Sequence, residues 1–109
     1  MKVQEITSEK FKCFHIVENY RRAAAELSEM TNNVFYFNRL IVDEKIRNKG
    51  CATALMQRVV KWADQEKTTI ILDINSYGDL DYNRLLTFYL KYGFKFKNKK
   101  TKTLIRIPI

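Results

Sequence analysis

Residues 47–53 are the first in the chain whose types and order could do chemistry: Arg47, Asn48, Lys49, Gly50, Cys51, Ala52 and Thr53. They follow an apolar run at 34–42, rich in aromatic and β-branched residues, whose composition predicts a strand, and a charged turn at 43–49. From Gly50 a helical period begins. Leu55, Met56, Val59, Val60 and Ala63 recur three and four apart, with Gln57, Arg58, Lys61, Asp64 and Gln65 on the opposite side. A strand entering a helix through small residues leaves backbone N–H groups unpaired at the positive end of the helix dipole, which suits phosphate. Gly50 and Ala52 leave room for a pyrophosphate to approach the main chain, and Arg47 and Lys49 add cations beside it.

At these residues the sequence resembles the GNAT family of N-acetyltransferases, which bind acetyl-CoA. The family's phosphate loop reads Arg/Gln-x-x-Gly-x-Gly/Ala and stands here as Arg47-Asn48-Lys49-Gly50-Cys51-Ala52, after the lead-in Leu40-Ile41-Val42. A second block, Phe88-Tyr89-Leu90-Lys91-Tyr92-Gly93-Phe94, is similar to the family's Phe/Leu-Tyr-x-Lys/Arg-x-Gly-Phe signature. The resemblance covers residues 34–109. It implies an α/β (α+β) compact GNAT fold of small, phage-type size, with a mixed, mostly antiparallel sheet of about seven strands and two main helices.

The same resemblance implies a reaction, the transfer of an acetyl group from acetyl-CoA to a primary amine by direct attack, with a protein lysine as the favoured acceptor. Arg47, Asn48, Lys49, Gly50, Cys51, Ala52 and Thr53 would hold the phosphates. The backbone of Leu40, Ile41 and Val42 would pair with the pantetheine arm, and an N–H near Val42 would hold the carbonyl oxygen. Tyr89 aligns with the helix tyrosine that protonates the departing thiolate, and is the catalytic residue the resemblance assigns.

Three positions depart from the family pattern. Glu44 stands where many members have Pro. Phe37 stands where histone-type relatives place a strand Glu, so the general base stays open among Glu26, Asn38, Asp73 and His15. Tyr82 replaces an Asn that contacts CoA, with Asn83 adjacent, and Asn75 is the candidate substitute. No metal is expected, since one His and no paired Cys give no ligand spacing.

Elements must hold these residues in place. Residues 1–6 read as a strand, 8–10 as a turn, and 11–17 as a strand with Phe11, Cys13, His15 and Val17 on one face. A tight turn follows at 18–21. Residues 22–30 carry Ala23, Ala24, Ala25 and Leu27, which favour a helix, so a helix over 18–30, or even from Ser8, stays open. A strand is preferred, because Thr31-Asn32-Asn33 is hairpin chemistry leading into 34–42. That gives four antiparallel strands before the helix and omits the two helices that many GNAT enzymes insert after their first strand. An open cleft results, suited to a large acceptor. Residues 68–75 read as a strand, with Ile70, Leu72 and Ile74 on one face, and 76–79 as loop. A helix over 81–92 follows, capped by Asp79 or Asp81, striped with Leu85, Phe88, Tyr89 and Tyr92 and ended by Gly93. A hairpin at 94–107 follows, with Pro108 closing the final strand at an edge.

Bulk composition limits the remaining possibilities. The 109 residues, 46% hydrophobic and 13% aromatic, suit a single domain spanning 1–109. No apolar run is long enough to span a membrane, and the N-terminus lacks a signal-peptide core, so a cytoplasmic location is expected. Cys13 and Cys51 form no disulfide framework and are expected as reduced thiols, with Cys51 at a helix N-terminus that favours the thiolate. The net charge of +8 favours anionic partners. CoA is one. An acidic protein or nucleic acid is another, with nucleic acid not favoured, because Lys95, Lys97, Lys99, Lys100 and Lys102 read as a solvated hairpin without interleaved stacking aromatics. A homodimer is compatible with the sequence. The rival to an enzyme is a GNAT fold kept as a basic interaction module after catalysis has lapsed.

Overall fold

The computed structural model describes residues 1–74 and 81–109. Its strands are β1 (Gln4–Ser8), β2 (Phe11–Glu18), β3 (Arg21–Thr31) and β4 (Val34–Val42), followed by a short 3-10 turn (Glu44–Ile46) and α1 (Cys51–Gln65). Then come β5 (Thr69–Asp73), α2 (Tyr82–Lys91), β6 (Lys95–Asn98) and β7 (Thr103–Arg106). All seven strands form one sheet in the order β1-β2-β3-β4-β5-β7-β6. Every neighbouring pair is antiparallel except β4 and β5, which are joined through α1 and run parallel.

Local chemistry explains the N-terminal meander. The β2–β3 turn is the two-residue loop Asn19-Tyr20, with both φ angles positive (49° and 65°), as a primed hairpin turn requires. Asn33 takes φ 61° in the β3–β4 turn. Between those turns, residues 21–31 are a strand despite their alanines. Ala23, Ala25 and Leu27 are fully buried beneath α1, so small side chains serve close packing there rather than helix formation.

The core lies on one face of the sheet. Phe35 and Phe37, two apart on β4, project to the same side. Phe35 meets Trp62 of α1 edge-on at 4.9 Å between centroids, and Phe37 meets Tyr89 of α2 at 6.1 Å. Both helices therefore pack on this face, with Phe14, Ile16, Ile70, Leu72 and Leu104 beneath them. Arg106, 3% exposed, joins the helices. Its Nη1 and Nη2 donate to both Asp64 carboxylate oxygens of α1 at 2.8 and 3.0 Å, and its Nε donates to Tyr92 O, just past α2, at 2.7 Å.

The opposite face carries Ile6, Cys13, His15, Val17, Arg22, Glu26, Arg39, Ile41, Tyr36, Ile71, Asp73 and Thr103, by strand register. No described helix covers it. The face expected of β2 (Phe11, Cys13, His15, Val17) is this open one, and the core residues are its neighbours Phe14 and Ile16. Val60 is only half-buried, whereas Cys51 joins the buried stripe of α1. On α2 only Tyr89 is fully buried, with Leu85, Phe88 and Tyr92 packing partly against the core. β7 lies between β5 and β6, so Pro108 follows an interior strand, not an edge one.

Candidate functional site: a strand fork and its phosphate loop

β4 and β5 pair only through Val34, Phe35 and Tyr36 against Thr69, Ile70 and Ile71. Beyond that point β4 runs on from Phe37 to Val42 without β5, so the two strands part as a fork. A bulge marks the same place. Leu27 pairs with Phe37 and Glu26 with Arg39, leaving Asn38 as the extra residue. Bulges increase local twist and turn a strand away from its neighbour.

Past the bulge, alternation decides which backbone groups face the fork. Asp43 N–H donates to Arg22 O at 3.1 Å, so the polar groups of Val42 point the other way, toward the fork. Arg47 Nε reaches Val42 O from that side at 3.2 Å. Leu40, two residues earlier, shares Val42's orientation. Ile41 has its backbone turned to β3, opposite Ala24, and its side chain on the open face. The rise of a strand puts Val42 roughly 16 Å from Phe37, the β4 residue that Tyr89 touches, and Leu40 about 10 Å from it. The Leu40 amide is thus the better placed of the two to serve the same point as Tyr89.

The loop beyond β4 is short of acceptors. The amides of Asn48, Lys49, Gly50, Cys51, Ala52 and Thr53 have no acceptor among the described residues, and the first helical amide that does is Ala54, bonded to Gly50 O at 3.0 Å. Asn48 (φ 62°) and Gly50 (φ 85°) are left-handed, a backbone pattern that turns successive N–H groups into an anion-binding concavity. Gly50 serves as the helix N-cap without a side-chain cap, and a Cβ placed on it would meet nothing within 4 Å. Glycine here meets the need for positive φ and leaves the entry open. Arg47 and Lys49 are exposed beside it, while Cys51 is buried with its Sγ donating to Ile46 O at 3.8 Å, which makes it a packing residue.

Tyr89 sits on α2 under the fork, its ring edge-on to Phe37, Phe88 and Phe94. Burial pushes its pKa up to about 12, so the hydroxyl keeps its proton throughout the neutral range. It has no hydrogen-bond partner among the described residues. Phe37 is 4% exposed and supports the Tyr89 ring.

The other base candidates all lie off this apolar layer. Glu26 is paired with Arg39 across β3 and β4, and Asn38 Oδ1 accepts from Ser28 Oγ at 3.1 Å. His15 is on the open face, with its Nδ1 buried and unpaired. Asp73 Oδ2 accepts from Tyr36 Oη at 2.6 Å and its Oδ1 accepts from Thr103 Oγ1 at 2.5 Å; these two bonds hold its pKa below the usual carboxylate value. Asn75 and the loop at 76–79, with Asp79, fall outside the described residues; Asp81 caps α2 by accepting from Arg84 N–H at 2.8 Å. Among the described residues no group of His, Cys, Asp and Glu could hold a metal, and no helix is long and apolar enough to cross a membrane.

Asn38, Tyr36 and Asp73 carry geometry that their sequence positions did not announce. A bulge needs no special residue, and Tyr36 and Asp73 meet only because the parallel register sets them across the fork.

A seven-stranded sheet forked beside an amide-lined loop defines an acetyltransferase-type architecture, and the sequence matches the model of the acetyltransferase (GNAT) domain over residues 10–96. The chain belongs to the GNAT acetyltransferase family. No curated protein matches it in sequence. Among solved structures it is similar to a GNAT family acetyltransferase from Elizabethkingia anophelis with acetyl-CoA bound, at TM-score 0.75 and 12% identity, over 97% of each chain. It is also similar to the ribosomal-protein-S18-alanine N-acetyltransferase of Escherichia coli, at TM-score 0.72 and 14% identity, over 94% of this chain and 73% of that one. A third is the PaiA N-acetyltransferase of Thermoplasma acidophilum in complex with coenzyme A, at TM-score 0.69 and 15% identity, over 90% and 61%. At these identities the likeness is one of fold.

Proposed function

We propose that the chain is an acetyl-CoA-dependent N-acetyltransferase whose acceptor is a primary amine, with a protein lysine favoured. The observation that carries this reading is the run of six amides from Asn48 to Thr53 that have no acceptor among the described residues, at the end of the strand that leaves the fork. Two of the similar structures named above hold acetyl-CoA or coenzyme A, and they supply the ligand by analogy. Acetyl-CoA contributes the activated thioester carbonyl. The loop amides, Arg47 and Lys49 would bind its phosphates. The Leu40 and Val42 backbone groups would align its arm in the fork, the Leu40 amide would polarise the carbonyl, and Tyr89 Oη would donate a proton to sulfur.

A protein acceptor fits because β1 passes straight to β2 through the turn at Glu9 and Lys10, so no helix walls the open face there. Calorimetry with acetyl-CoA tests the reading. Wild type binds, and Gly50→Glu, which brings a carboxylate and a side chain to a positive-φ position, loses binding. A wild type that shows no heat of binding overturns the enzyme reading.

A second reading has one observation in its favour: Phe37 occupies the strand position where histone-type relatives place a Glu, and is buried. On that reading the protein is a basic interaction module without catalysis. Partner capture at two salt concentrations, unaffected by Tyr89→Phe and with no acetyl transfer detected, would favour it. Acetylated lysine on the captured partner would exclude it.

A further inference from the structure

The vertex of the fork has different chemistry on its two faces. On the helix face the first unpaired residue of β4, Phe37, packs against Tyr89. On the open face the last paired residue, Tyr36, extends its hydroxyl to Asp73, the last residue of β5. Asp73 is therefore fixed from both sides: by Tyr36 from β4, and by Thr103 of β7, its register partner, from the other. Thr103 Oγ1 is in turn 2.7 Å from Thr101 Oγ1 in the β6–β7 turn. Side chains from two neighbouring strands, one of them braced by a turn residue, thus hold one exposed carboxylate at a fixed point. No cation pairs with it among the described residues, in contrast to Glu5, Glu26, Asp43 and Asp64, all of which have Lys or Arg partners.

An immobilised, solvent-facing carboxylate without a counter-ion is a receptor for a cation with N–H donors. Its two bonded donors are hydroxyls, each occupying one lone pair per oxygen, which leaves acceptor sites on both oxygens. We infer that Asp73, set in place by Tyr36 and Thr103, is the seat for the alkylammonium group of the acceptor, on the face of the sheet opposite Tyr89. The inference rests on the acetyltransferase reading for what happens next. Amine and proton donor then reach the fork from opposite faces and do not compete for space. The carboxylate stays ionised throughout the neutral range, because both hydroxyls donate to it. It therefore selects acceptors that arrive positively charged: the ammonium sheds one proton to solvent before its nitrogen attacks the thioester, the C–S bond breaks as the second N–H proton leaves and the thiolate is protonated, and the neutral amide product no longer pairs with Asp73.

The experiment is carbon-detected NMR on the full chain labelled at aspartate carboxyls, with Asp73→Asn identifying the Asp73 resonance. The probe is Nα-acetyl-lysine methylamide, and its control is the same molecule acetylated at Nε. The lysine probe should move the Asp73 signal saturably while leaving that of Asp64 in place, and the neutral control should leave both unmoved. No movement, or equal movement with the neutral control, overturns the inference. Kinetics with poly-L-lysine add a second readout. Asp73→Asn should raise the acceptor KM about tenfold, the scale of losing one charge-assisted hydrogen bond, with kcat changed far less. Tyr36→Phe, which leaves the charge but frees its position, should raise KM by a smaller factor, and an unchanged KM in Asp73→Asn contradicts the proposal. Calorimetry with acetyl-CoA separates the two failures. If wild type binds acetyl-CoA and Asp73 ignores the probe, only the ammonium seat is wrong, whereas absent acetyl-CoA binding removes the acetyltransferase reading itself.

Discussion

The two faces of the sheet differ in what their residues are for. The helix face is apolar and closed: Leu55, Met56, Val59 and Ala63 from α1 lie fully buried with Phe14, Ile16 and Ala25, and Arg106, the one buried charge among the described residues, has all three of its bonded nitrogens satisfied. The open face mixes Ile6, Val17 and Ile41, all exposed, with Arg22, Glu26, Arg39 and Asp73. Burial of apolar area makes the first face the source of stability. The second contributes little to it and is free to carry recognition. Substitutions should respect that division.

The largest effect is expected for Leu55→Ala on the helix face. Removing a fully buried leucine leaves a cavity and should cost about 3 kcal/mol in urea unfolding, whereas a loss near zero would mean α1 is not packed as described. Next comes Asp64→Asn. It leaves the Arg106 guanidinium buried without its countercharge, at a cost of about 2 kcal/mol, reduced from the fully buried case because Asp64 is partly exposed. This pair also sets an acid dependence. Arg106 holds the Asp64 pKa below its ordinary 3.8, so the stabilisation is complete above that value and is lost as the pH falls through the lower folded pKa. Wild type should therefore lose stability on acidification below about pH 4, and Asp64→Asn should show a shallower slope there.

Smaller still is Tyr20→Gly at the β2–β3 turn. Tyr20 is fully exposed at φ 65°, a conformation that glycine adopts freely, so the exchange should raise stability by up to about 1 kcal/mol. A loss would show that the ring makes a contact worth more than the backbone strain. Smallest is Val17→Ser on the open face, 58% exposed, which should change stability by less than about 0.5 kcal/mol. A large loss would mean that this face is covered in solution.

Much of the helix face could be read in the sequence. The strand at 34–42, the helix read from Gly50, which the structure makes its N-cap, and the α2 stripe around Tyr89 show local periodicity, and local periodicity is what one sequence displays. The strand preferred over 22–30 also holds, and runs from Arg21 to Thr31, although that reading set hairpin chemistry against alanine propensity. The open face was far less legible. The Tyr36–Asp73 contact spans 37 residues and the Asp64–Arg106 pair 42, and neither follows from any local pattern. The Asn38 bulge shifts the register, which exchanges the faces of every later β4 residue relative to simple alternation. Of Leu40, Ile41 and Val42, the register turns the backbone of Ile41 to β3 and leaves those of Leu40 and Val42 facing the fork. The insertion of β7 between β5 and β6 is likewise a matter of topology, and it is what brings Thr103 to Asp73.

Cofactor binding in this protein depends first on the loop amides. Amide NMR of the 15N-labelled chain, titrated with acetyl-CoA, tests them directly. The predicted result is that the largest shifts fall on Asn48, Lys49, Gly50, Cys51, Ala52 and Thr53, with Leu40 and Val42 following and Ile41 moving less. Saturating shifts centred elsewhere on the sheet, or none in the loop, would contradict it.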